Sequence, residues 1–155
     1  MTRGPAWLAV CAALATFGGV GGCAGEGGAG TPPEPRAGPV TLGAAPVQTT
    51  VTVPAELLAH RKGGGAVILS LTGLSTEVQP GVLYRVQLGE GGPVLGHINF
   101  FNVATGGGAS FSFDAGPALD RAEPGETLTV VLTPEGRADP AARPVVGSVR
   151  LVPGS

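Results

Sequence analysis

Along the second two-thirds of this chain, apolar and polar residues alternate in short stretches with a period of two, and no stretch keeps a helical period for long. Val82 to Leu88 shows it best: Tyr84, Val86 and Leu88 point one way and Leu83, Arg85 and Gln87 the other, the pattern of a half-buried strand. Ser110-Phe111-Ser112-Phe113 alternates in the same way, with the serines on the outward face. Ala66 to Leu71 is a continuous apolar run of strand length, which predicts a strand buried near the middle of a sheet. Gln48 to Val53 is rich in β-branched residues and stops at Pro54, so it reads as a first strand. Val94 to Val103, with Phe100 and Phe101 on opposite faces, Thr127 to Thr133, and Val145 to Val152 complete the predicted set. Ala55 to His60 predicts one helical turn ended by Gly63-Gly64-Gly65, and Ala115 to Ala122 predicts another, with Asp114 placed to cap it. Short strands separated by glycine and proline loops predict an all-β fold, an antiparallel β-sandwich of about seven strands over residues 47–155.

The pattern before residue 47 is different. A single Arg3 precedes the apolar run Ala6 to Phe17, the arrangement of a secretory signal, and the run is shorter than the roughly 20 apolar residues of a comfortable spanning helix. It leads into Val20-Gly21-Gly22-Cys23, which resembles the lipobox of bacterial lipoproteins, where small residues let the peptidase reach an extended backbone and the thiol takes a diacylglycerol group. Residues 1–22 are thus expected to be a lipoprotein signal peptide and Cys23 the lipidation site, later carrying fatty acyl chains such as palmitate. The alternative is a plain signal peptide or an uncleaved anchor, in which Cys23 is only a small residue near a cut site. Residues 23–46, rich in glycine and proline and poor in apolar side chains, are expected to form a tether. The implied destination is the bacterial cell envelope, with the outer membrane preferred where there is one, because Ala24 is not an acidic retention signal.

Composition narrows the chemistry. Both cysteines lie in the export segment, Cys11 within its apolar core, so the predicted sandwich has no thiol for a disulfide, a zinc site or a nucleophile. With 28 glycines, 15 prolines and 13% charged residues the chain is cut into turns, and a net charge of -2 without a basic cluster beyond Arg61-Lys62 gives no footprint for nucleic acid. His60 reads as a solvated loop residue and His97 as a half-exposed strand residue, too few and too separate for a metal centre. There is no Gly-x-Ser-x-Gly elbow and no phosphate loop. Asp114 and Asp120 lack further oxygen ligands for calcium, and Glu123, Glu126, Glu135 and Asp139 fall in turn-like segments. The expectation is a noncatalytic protein without a cofactor or metal.

Six segments in order resemble the C-terminal domain of tyrosinases and polyphenol oxidases. Val67 to Leu74 followed by Gly81 to Leu88 looks like that domain's apolar strand and its tyrosine-bearing successor. Leu95 to Asn102, Ser110 to Asp114, Thr127 to Pro134 and Val146 to Leu151 look like the glycine-and-phenylalanine segment, the Phe-x-Phe-Asp strand and the closing pair. The resemblance spans Ala66 to Val152. It implies a β-sandwich that shields the opening of a separate helical dicopper domain and performs no oxidation; the histidine-rich helices have no counterpart in this sequence, so no copper ligand is carried over. The implied partner is an exported type 3 copper, tyrosinase-like oxidase, with Tyr84, Phe100 and Phe101 as candidate contact residues, since aromatics concentrate interface energy. The alternative is a stand-alone ligand-binding or structural lipoprotein of the cell envelope.

Overall fold

A computed structural model describes residues 36–101, 103 and 108–155; the signal segment, Cys23 and most of the tether lie outside the described residues. Two four-stranded antiparallel sheets face each other. The first has the order β1-β10-β4-β7, formed by β1 (Arg36–Ala37), β4 (Val67–Leu74), β7 (Ala109–Asp114) and β10 (Ser148–Pro153). The second has the order β3-β8-β5-β6, formed by β3 (Val47–Thr52), β5 (Leu83–Leu88), β6 (Val94–Ile98) and β8 (Thr127–Glu135). A small pair, β2 (Val40–Thr41) with β9 (Val145–Val146), completes the strands, and two short helices, α1 (Ala55–Lys62) and α2 (Gly116–Leu119), close one end. The all-β antiparallel sandwich expected from the alternation is the observed fold.

The core is the meeting of the two inner faces, as alternation requires. Val67, Leu69 and Leu71 of β4 and Val149 and Leu151 of β10 lie inward from one sheet, and Tyr84, Val86, Val130, Leu132 and Ile98 from the other. Leu57 and Leu58 of α1 and Leu119 of α2 cap this core. Gly73, at φ 68, marks an irregularity in the pairing of β4 with β7, and Gly147 packs against it: a Cβ on Gly147 would stand 3.1 Å from the Gly73 carbonyl oxygen. That close approach splits the expected Val145 to Val152 strand into β9 and β10.

Two expectations need correction. Residues 36–42, assigned to the tether by composition, belong to the sandwich: Arg36 pairs with Arg150, Ala37 with Val149, Val40 with Val146 and Thr41 with Val145. Val40 and Leu42 are buried, and the Leu42 N–H donates to the Pro144 carbonyl at 2.8 Å. The strand expected to run from Val94 to Val103 stops at Ile98. There the Asn99 side chain accepts a hydrogen bond from the Phe101 N–H at 3.3 Å, a local turn that competes with the ladder.

Candidate interaction surface

The sandwich has two ends of different character. At the first, the C-terminal ends of β3, β5, β7 and β10 meet α1 and α2. Asp114 ends β7 and accepts a hydrogen bond from the Gly116 N–H at 2.9 Å, but it stands one residue ahead of the helix cap, which is Ala115 and has no side-chain cap bond. The Arg61 Nε of α1 donates to Asp120 Oδ1 just past α2, also at 2.9 Å. That hydrogen bond, with the nearby carboxylate charge, raises the Arg61 pKa above its ordinary value.

At the other end, the start of β5, the turn after β6 and the loop between β4 and β5 carry the three candidate aromatics and their neighbours. Tyr84 and Phe100 are fully buried and meet edge to face, ring centroids 5.9 Å apart at 80°. They hold up this end of the core and present no surface, so of the three candidate contacts only Phe101 is exposed, at 51%. The reason is steric: β5 turns Tyr84 to the same face as Val86 and Leu88, and the turn at Asn99 drives Phe100 inward after it. Burial pushes the Tyr84 pKa up, and among the described residues its hydroxyl has no hydrogen-bond partner.

Phe101 is held in place. The Gln79 Nε2 donates to the Phe101 carbonyl at 3.0 Å, which ties it to the loop that carries Val78, itself 46% exposed. That loop is braced in turn: Thr76 Oγ1 donates to the Ala142 carbonyl at 2.8 Å, the Glu77 N–H donates to the same carbonyl at 2.9 Å, and the Asp139 N–H donates to the Pro80 carbonyl at 3.1 Å. Glu77 faces Arg143 at 3.5 Å beside it. Two exposed apolar side chains on a braced platform, with charged neighbours, have the anatomy of a contact patch. Val78 escaped the sequence reading because it is a lone apolar residue in a polar loop, with no period to mark it.

The chemistry sought elsewhere is dispersed. His60 is exposed in the last turn of α1, whereas His97 lies on the outer face of β6, 3.2 Å from Glu135 of β8, with Arg85 at 3.8 Å from the same carboxylate. Among the described residues no three of His, Cys, Asp and Glu gather as a metal-binding group, and no helix is long and apolar enough to cross a membrane. Ser110 and Ser112 face outward. An open concavity of about 540 Å3 lies between α2 and the β5 and β8 ends, near Leu88, Pro117, Arg121 and Thr129.

No family model and no curated protein matches the chain. Among solved structures, latent apple tyrosinase superposes with a TM-score of 0.52 at 19% identity, over 76% of this chain and 27% of that one. The fold is that of the tyrosinase C-terminal domain. A latent aurone synthase, a polyphenol oxidase, is also similar, with a TM-score of 0.48 at 15% identity over 73% of this chain and 25% of that one. The chain thus spans about a quarter of the length of either structure, and the likeness is one of fold.

Proposed function

We propose that this protein is a noncatalytic, lipid-anchored envelope protein whose sandwich serves as an interaction or shielding module for an exported type 3 copper, tyrosinase-like oxidase. The observation that carries the reading is the fold likeness to about a quarter of a latent tyrosinase, its noncatalytic shielding domain. The exposed and braced Phe101, with Val78 beside it, supplies a contact patch on the end away from the helices. Cys23 supplies the anchor, and the glycine-rich and proline-rich residues after it supply reach.

The test is cross-linking of the anchored protein in its native envelope, with mass spectrometric identification of what is captured by wild type and by Phe101→Ser. Recovery of a histidine-rich dicopper protein by wild type, and a loss of affinity of about 2 kcal/mol or about 30-fold in Kd for Phe101→Ser, is expected. Recovery that Phe101→Ser leaves unchanged overturns the contact assignment, and absence of any dicopper protein overturns the partner. A second reading, a stand-alone ligand-binding lipoprotein, is favoured by the concavity beside α2, which is of small-ligand size. Saturable binding of a small molecule that Arg121→Ala abolishes would select it.

A further inference from the structure

The open concavity of about 540 Å3 at the helical end has apolar walls and a polar rim whose groups are unequally engaged. Leu88 and Pro93 of the hairpin of β5 and β6, Pro117 and Ala118 of α2, and Leu128 of β8 supply the apolar part. The Gly89 N–H, also at the rim, is taken by the Thr129 carbonyl at 2.7 Å. The polar side chains are Asp120, Arg121, Thr127 and Thr129. Asp120 accepts from the Arg61 Nε at 2.9 Å and is thereby engaged across to α1. Of the other carboxylates close to Arg121 in sequence, Glu126 accepts the Glu123 N–H at 2.8 Å. Among the described residues the Arg121 guanidinium and the hydroxyls of Thr127 and Thr129 have no hydrogen bond or ion pair. The rim thus joins an engaged acid to three unspent donor groups, one of them permanently charged.

We propose, resting on the ligand-binding reading, that this concavity takes a small carboxylic acid with an apolar body. The carboxylate is held by Arg121 and the threonine hydroxyls, and the hydrocarbon lies against Leu88, Pro117 and Leu128. A guanidinium presents a planar fork of N–H donors that matches the two oxygens of a carboxylate, and hydroxyls add donors without adding charge. Pro93 and Pro117 bring no N–H to the walls, which therefore offer a ligand contact more than hydrogen bonds. A volume of this order suits a small organic molecule. Other ligand classes use less of the site. A cation would face Arg121 with its nearest acid already paired, a neutral apolar molecule would leave the donors to water, and inorganic phosphate would leave the apolar walls uncovered. The site stands at the end away from Phe101, so the two surfaces do not compete for one occupant.

The test is calorimetric titration of the full chain in nanodiscs of neutral lipid, with empty nanodiscs as the blank. The probes are 3-phenylpropionate and its neutral isostere, 3-phenylpropanamide. Saturable binding of the acid is expected, about tenfold or more tighter than that of the amide, because only the acid makes a charge-assisted pair. Arg121→Gln should weaken the acid about tenfold or more and leave the amide unchanged, which separates a lost charge from a damaged concavity. Arg121→Lys should restore part of the loss, since it keeps the charge without the fork. Acid and amide bound equally well overturn the carboxylate assignment while the ligand-binding reading stands. Acid binding that Arg121→Gln leaves unchanged places the ligand elsewhere and overturns the site. Binding of neither probe overturns the proposal, and the ligand-binding reading then falls only if uncharged and cationic probes also fail to bind.

Discussion

The two ends of this sandwich are built from the same antiparallel strands but closed by different means. The helical end is sealed by side chains that satisfy one another: Leu57, Leu58 and Leu119 cover the core, Asp114 holds the start of α2, and Arg61 spans from α1 to Asp120. The opposite end is sealed by two aromatics, Tyr84 and Phe100, and just outside them leaves Phe101 and Val78 exposed. A short turn divides adjacent phenylalanines into one that is buried and stabilises and one that stays exposed. An exposed apolar residue held on a hydrogen-bonded platform adds little to folding.

The sharpest way to separate the two roles is to shorten each phenylalanine in turn. Phe100→Ala should cost about 3–5 kcal/mol of stability, the usual range for a buried phenylalanine, read as a lowered denaturant midpoint. Phe101→Ser should change stability by less than about 0.5 kcal/mol, as an exposed residue does. Equal losses would erase the distinction between seal and surface.

Tyr84 is the next probe, because its ring packs but its hydroxyl is buried with no partner among the described residues. Tyr84→Phe keeps the ring and removes the unsatisfied group, so stability should stay level or rise by up to about 1 kcal/mol at neutral pH. The sign with pH follows from the raised pKa. Above the ordinary tyrosine value of about 10, the unfolded chain loses this proton while the folded chain keeps it, so wild-type stability falls as pH rises through that range. Tyr84→Phe should lack this part of the alkaline loss in urea titrations between neutral pH and strong alkali. A clearly destabilised Tyr84→Phe would mean that the hydroxyl has a partner after all.

The smallest effect is expected at the helical end. Asp120→Asn removes the charge opposite Arg61 on an exposed bridge, and should lower the melting temperature slightly, less so at high salt. A large drop would make the ion pair, rather than the leucines beneath it, the seal of that end.

Much of this was legible residue by residue. The alternation in Val82 to Leu88 foretells which side chains of β5 are buried, and it places Tyr84 inside with Val86 and Leu88, which argues against a contact role for it. The serine and phenylalanine ladder of β7, the helical turn ended at Gly63 and the Asp114 turn before α2 follow from local chemistry, although the helix cap itself falls one residue later, at Ala115. Phe100 and Phe101 could be assigned to opposite faces but not to inside or outside, because the strand ends at Asn99 and a turn, rather than the pleat, decides their directions. Residues 36–42 were hidden for another reason: three scattered apolar residues, Ala37, Val40 and Leu42, around glycine and proline cannot announce a strand, and these short pieces are held by partners near the other end of the chain.

Strands, turns and the all-β class are written locally, since backbone sterics, β-branching and the two-residue period act between near neighbours. Tertiary structure alone chose which aromatic seals the core and which stays exposed, and where the tether becomes part of the fold. Both depend on backbone and side-chain groups brought together from distant parts of the sequence, and no local pattern encodes that meeting.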